Sequence, residues 1–124
     1  MKTPFKLITT AKDDFNYTLN LNLTKNSTNT IVRNLYESFR MLGEALLLNK
    51  DIKTLDHIKQ IDELIRLNMM DADLELLFDL QELRHNINHK GHKATINQAK
   101  DVLNFSRFYF EPVFIEVEER LKRK

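Results

Sequence analysis

Apolar residues recur along this chain at intervals of three and four, the period of an amphipathic helix. Leu7, Ile8, Ala11, Phe15 and Leu19 mark a first helix, although Leu19, Leu21 and Leu23 alternate with asparagines as a strand would, which leaves its end open. A polar loop over Lys25 to Thr30 follows, where Ser27, Thr28 or Asn29 can cap the next helix. Ile31, Leu35, Phe39, Leu42 and Leu46 form the clearest apolar face in the chain, and Asn49 suits the left-handed position beyond its end. A third helix is expected from an N-cap at Thr54, with Leu55, Ile58, Ile61 and Ile65 aligned. A fourth starts after Asp71 or Asp73, carries Leu76, Leu80, Leu83 and Ile87 as one stripe, and stops at Gly91. The last begins near Thr95 and runs through Leu103, Phe110, Phe114, Val117 and Leu121. Pro112 lies inside it and predicts a kink or break near Tyr109, since an interior proline costs about 3 kcal/mol. The pattern predicts an all-α fold, an antiparallel bundle of about five helices.

A chain of 124 residues fits a single domain over 1–124, large enough for a core of its own. With 42% hydrophobic and 30% charged residues it has the profile of an ordered domain. Two glycines and two prolines are too few for the tight turns of sandwiches and barrels, which reinforces the helical reading. The absence of cysteine excludes disulfides, thiolate metal sites and cysteine nucleophiles. The first ten residues lack the apolar stretch of a signal peptide, and no apolar run approaches the roughly 20 residues of a membrane span. The expectation is a cytoplasmic protein with no membrane partner. A net charge of +1 predicts no global attraction to nucleic acid, so any such surface must be local. Phe105, Phe108, Phe110 and Phe114 are expected in the core, with dimer surface where they exceed one face.

Candidate chemistry concentrates in Glu82-Leu83-Arg84-His85-Asn86-Ile87-Asn88-His89-Lys90-Gly91-His92-Lys93, which holds three of the four histidines. At about 100° per residue the stripe from Leu76 to Ile87 spans about 60°, and Arg84, His85, Asn88 and His89 are expected on the opposite, polar side. Three chemistries suit such a surface. An Arg fork binds phosphate oxygens and an imidazole of pKa about 6.5 moves protons near neutral pH, a set able to cleave RNA without metal. His89 falls in the last helical turn, where the dipole favours positive charge, so it suits a proton donor at least as well as a base. Alternatively, His85 and His89 at i, i+4 can share a metal, with Glu82 or His92 as a third ligand. The third reading is a basic, solvated helix end that favours its own dipole. Arg33 and Arg40 are read as a solvated face, and Glu37 and Glu44 as helix-surface carboxylates, one of which could orient the Arg84 helix.

Arg84-His85-Asn86-Ile87-Asn88-His89 resembles the Arg-(four to six residues)-His motif of HEPN domains, which favour a small polar or ionisable residue directly after the Arg, here His85. The setting is similar too. A long second helix with Leu35-Tyr36-Glu37-Ser38-Phe39 and Ala45-Leu46-Leu47-Leu48 precedes the motif, and an aromatic-rich final helix follows, so the likeness covers nearly the whole chain. The resemblance implies a HEPN-like bundle pairing two motif-bearing helices across a homodimer, and a metal-independent endoribonuclease of toxin or defence type without cofactor. It assigns Arg84 to phosphate and transition-state stabilisation, His89 to general acid or base, and His85 to support. Position and chemistry add Asn88, Lys90, His92 and Lys93 as further phosphate-binding candidates. RNA is the implied substrate, and a neutralising antitoxin protein a possible partner. Many toxins of the family have a Tyr two residues beyond the motif His that a nucleotidyltransferase modifies; here Gly91 stands there, so that mode of control does not apply. Other members are non-catalytic bundles that bind nucleotide, RNA or protein, the alternative reading for this chain.

Overall fold

The computed structural model describes residues 2–69 and 73–123. Five helices follow one another: α1 (Pro4–Leu19), α2 (Thr28–Asn49), α3 (His57–Ile65), α4 (Leu76–His89) and α5 (Ile96–Lys122). No strand occurs among the described residues, so the alternating leucines after Leu19 are loop. Side chains of all five helices share one hydrophobic core.

The helix ends have local causes. Thr3 caps α1 through a bond from the Lys6 N–H to Oγ1, and Pro4 takes the first helical position, where its missing N–H is no loss. Ser27 occupies the N-cap of α2, but its hydroxyl serves the preceding loop, donating to the Asn22 carbonyl at 2.6 Å. At the other end Asp51, not Asn49, takes the left-handed conformation (φ 62°). The Ile52 and Asp51 N–H groups then close on the Leu47 and Leu48 carbonyls, both at 2.9 Å, a Schellman ending. Asp56 rather than Thr54 caps α3, accepting from the Ile58 and Lys59 N–H groups, while Thr54 accepts from Asp56 N–H. Thr95 begins α5 with a full capping box to Gln98. The candidate start of α4 at Asp71 lies outside the described residues; at Asp73 the carbonyl accepts from the Leu76 N–H at 3.2 Å.

α2 is the central helix, and α1, α3, α4 and α5 all pack on it. From Leu35 to Leu47 only Glu37 is not buried, so the solvated face expected at Arg40 does not exist. Arg40 is only 9% exposed, and its guanidinium is held on three sides. Nε and Nη2 reach Glu37, and Nη1 donates to Glu44 Oε1 at 2.9 Å and Gln60 Oε1 at 2.7 Å. Burial works against that charge, but the carboxylates outweigh it and raise the Arg40 pKa. α3 approaches α2 at Gly43, where a Cβ would lie 1.9 Å from the Gln60 carbonyl oxygen.

Three further expectations change. α3 does not bury Leu55 or Ile58; Leu55 is 93% exposed, and Gln60, Ile61, Glu63 and Leu64 take the inner face. Phe110 and Phe114 are core, the former stacked on Phe15 at 4.0 Å, whereas Phe108 is 77% exposed. α5 runs unbroken past Pro112. Pro112 lies on the exposed side together with Phe108, whose carbonyl would have received the missing bond and can turn to water instead. Phe110, Val113, Phe114 and Val117 meanwhile hold the helix to the core on both sides of the proline.

Candidate functional site

α4 is rotated relative to the expected stripe. Leu76 is 43% exposed while its neighbour Leu77 is fully buried. The buried positions are Leu77, Leu80 and Ile87, with half-buried Arg84 among them within about 80° at 100° per residue, while Leu83, also partly buried, packs against the core at the edge of this arc. Arg84 therefore does not share the outer arc with the histidines. It sits half-buried at the α2 interface, its guanidinium carbon 5.2 Å from the Tyr36 ring centre. Arg33 Nε donates to Asn88 Oδ1 at 2.7 Å. Residues 33 and 36 thus meet 88 and 84, and α4 lies antiparallel to α2.

His85 and His89 are exposed on the outer side of α4, with ring centres 4.6 Å apart. Lys90, in the C-cap position, is also exposed, and its N–H closes on the Asn86 carbonyl at 3.0 Å. Gly91 (φ 69°) turns the chain away from α4, in a conformation that a side chain would strain. The turn carries His92 back toward α5, where a ring nitrogen bonds Gln98 Oε1 at 3.0 Å. His92 is thereby separated from the His85–His89 pair. Lys93 is exposed and faces Lys25 across a shallow cavity at the start of α5. The Ala94 N–H, donating to Asn29 Oδ1 at 2.8 Å, pins this loop to the first turn of α2. No three potential ligands are gathered for a metal ion among the described residues, so neither Glu82 nor His92 joins the two imidazoles.

Behind Arg84 the structure assembles groups the sequence reading left out. The Tyr36 ring lies 6.1 Å, centre to centre, from the half-buried ring of His57 at the start of α3. The Tyr36 hydroxyl is buried without a hydrogen-bond partner. Burial, opposed by Arg84 and Arg40, pushes that phenol up to about 12, so it stays neutral. Burial, reinforced by the charges of Arg40 and Arg84, holds the His57 imidazole below its ordinary value. Glu37 and Glu44 turn to Arg40, and Lys2 also reaches Glu44 at 3.1 Å; neither carboxylate orients Arg84. Burial raises the Glu44 pKa less than its bonds to Arg40 and Lys2 lower it. One sequence signal pointed here: carboxylates at i−3 and i+4 around Arg40 are the spacing of a held guanidinium.

The arrangement offers two half-buried or exposed chemistries on opposite flanks of one helix. A guanidinium fixed against an aromatic face can receive a phosphate oxygen, and two solvent-facing imidazoles lie on the outer side of the same helix, one and five residues on in the chain. Comparison with known proteins gave no match to a family model, to a curated protein or to a solved structure.

Proposed function

We propose that this chain is a metal-independent RNA endonuclease of the HEPN type, working as a homodimer in the cytoplasm as a toxin or defence protein. The observation that carries this reading is the half-buried Arg84 guanidinium held on Tyr36, on the same helix that presents the exposed imidazole pair His85 and His89. Preorganisation matters because a cation held before the reaction needs no reordering as charge develops. In the reaction an imidazole takes the proton of a 2′-hydroxyl, whose oxygen forms a bond to the adjacent phosphorus. The bond from phosphorus to the 5′-oxygen breaks, and a second imidazole protonates that leaving oxygen. The products are a 2′,3′-cyclic phosphate and a 5′-hydroxyl. Arg84 stabilises the added negative charge, and His89 serves as acid or base. Arg84 and His89 lie about 140° apart around their helix, and a second copy would bring a second pair into one cleft. An antitoxin protein would restrain the activity in the cell, by binding rather than by modifying the position that Gly91 occupies.

One observation favours the alternative, a non-catalytic bundle that binds nucleotide, RNA or a protein partner. Among the described residues no carboxylate or carbonyl holds His85 or His89, whereas a catalytic imidazole usually has an orienting partner. The deciding experiment incubates the protein with total RNA in EDTA, beside Arg84→Ala and His89→Ala. The expected result is cleavage with cyclic phosphate ends by the wild type and a loss of about 10²–10⁴-fold in each variant. A variant cutting as fast as the wild type would remove its residue from the site. Saturable RNA binding without product would establish the binding module instead.

A further inference from the structure

His57 has no part in the resemblance, yet the fold sets it against the same aromatic ring as Arg84. The pairing needs three elements: α2 presents Tyr36, α4 lays Arg84 on it, and α3 brings His57 to it because Gly43 lets the two backbones approach. Beside the ring, Arg84 is the cation left without an ionic partner among the described residues, and the Tyr36 hydroxyl is buried without an acceptor. The carboxylates that balance Arg40 are committed to it, and no carboxylate pairs with Arg84 among the described residues. The charged and titratable groups acting on His57 are Tyr36, Glu37 and Arg40 from α2, Asp56 at its own cap, and Arg84 from α4.

From this geometry we propose that His57 is a further phosphate-contacting residue, which with Arg84 holds a phosphodiester of the RNA backbone and takes up a proton as that phosphate binds. The anion pairs with Arg84 and with the imidazolium together, so its binding opposes the burial and the guanidinium charge that hold the His57 pKa down. His57 is half-buried and so reachable from solvent, whereas Arg40 is enclosed and held by Glu37 and Glu44. That the anion is RNA rests on the proposed function; that an anion binds here does not. By linkage, affinity rises as pH falls through the His57 pKa of the complex and levels off below that of the free protein. A rise of about one unit on binding corresponds to about ten-fold tighter binding at the acid end.

The probe is a fluorescent 2′-O-methyl RNA hexamer, which binds but cannot be cleaved because its 2′-oxygen has no proton to lose. Its affinity is measured at about pH 5.5 and about pH 8, on either side of the imidazole range, for wild type, His57→Gln and Arg84→Ala. The His57 ring protons are followed by NMR through the same range, with and without the hexamer. The expected result is a His57 pKa raised by about one unit in the complex, and loss of about ten-fold of the acid-side affinity gain in His57→Gln. Arg84→Ala should remove the rise. An unchanged His57 titration in a saturated wild-type complex would overturn the proposal, and so would His57→Gln binding with the wild-type pH profile. The NMR arm needs no variant, so a misfolded His57→Gln leaves it decisive. Cleavage of ordinary RNA is scored separately. Hexamer binding with the His57 shift but no cleavage would overturn the nuclease reading alone, and cleavage with an unresponsive His57 would overturn this proposal alone. No hexamer binding would overturn it as well.

Discussion

Arg84 rests on the face of Tyr36, 5.2 Å from guanidinium carbon to ring centre, at a position of α4 that an apolar residue would otherwise fill. The ring rather than the hydroxyl makes this contact, since the hydroxyl is buried without a partner. A buried, unsatisfied polar group costs about 1–3 kcal/mol. Tyr36→Phe should therefore keep the platform and raise stability by about 1 kcal/mol in urea denaturation, with the proposed RNA binding retained. Tyr36→Ala should lose about 3–5 kcal/mol, as large core truncations do. A Tyr36→Phe protein less stable than wild type would mean that the hydroxyl has an acceptor.

Gly43 sets the distance between α2 and α3. With Gln60 carbonyl oxygen 1.9 Å from where a Cβ would stand, Gly43→Ala must push α3 outward, because the obstacle is backbone and cannot rotate away. Alanine's better helix propensity, worth about 1 kcal/mol, opposes that cost but does not match the overpacking. A net destabilisation of about 1–3 kcal/mol is expected. His57 and Gln60 both belong to α3, so the His57 NMR signals should shift and the Arg40–Gln60 bond weaken. A Gly43→Ala protein with wild-type stability and unmoved His57 signals would contradict this packing.

Much of the bundle could be read from the chain because its signals are local. Thr95 with Gln98, Gly91, and the face from Ile31 to Leu46 act over one or two turns, and each is where periodicity and capping place it. The rotation of α4 could not be read that way. Leu80, Leu83 and Ile87 pack on the core as expected, but Leu77 replaces Leu76 and Arg84 joins the α2 contact, a choice that only tertiary packing makes. The burial of Arg40 has a related cause: from Leu35 to Leu47 neighbouring elements surround α2 and leave little solvated face, and how many neighbours a helix has is a tertiary fact. His57 stands 21 positions from Tyr36 and 27 from Arg84 in the chain, and its place beside them depends on a glycine contact that no periodicity reports.

Stability should fall with acid in two stages. His57 has a folded-state pKa below the ordinary 6.5, so between those two values the unfolded chain binds the proton more readily. Its contribution is complete above about pH 6.5 and is lost as pH falls through the folded value. Glu44 is likewise depressed, below the usual 4.5. Its contribution stands above that pH and is lost as pH falls through the lower folded value. Melting temperatures should therefore decline first below about pH 6.5 and again below about pH 4.5. His57→Gln should flatten the first step and leave the second. If His57→Gln followed the wild-type curve throughout, the first decline would belong to another group.

Pro112 provides a test of how α5 stays whole. The proline removes the N–H that would bond the Phe108 carbonyl, and both residues face solvent, so the loss is a missing bond rather than a buried orphan. The apolar anchors Phe110, Val113, Phe114 and Val117 bracket it and are all buried. Pro112→Ala restores the donor without touching the core, and alanine is favoured over proline by about 3 kcal/mol in a helix interior. Part of that gain is offset, because proline also restricts the unfolded chain. A stabilisation of about 1–2 kcal/mol is expected in denaturant unfolding, with slower amide exchange through the turn around Phe108. An unchanged or lower stability would mean that the proline conformation is built into the packing of α5 rather than tolerated on its outer face.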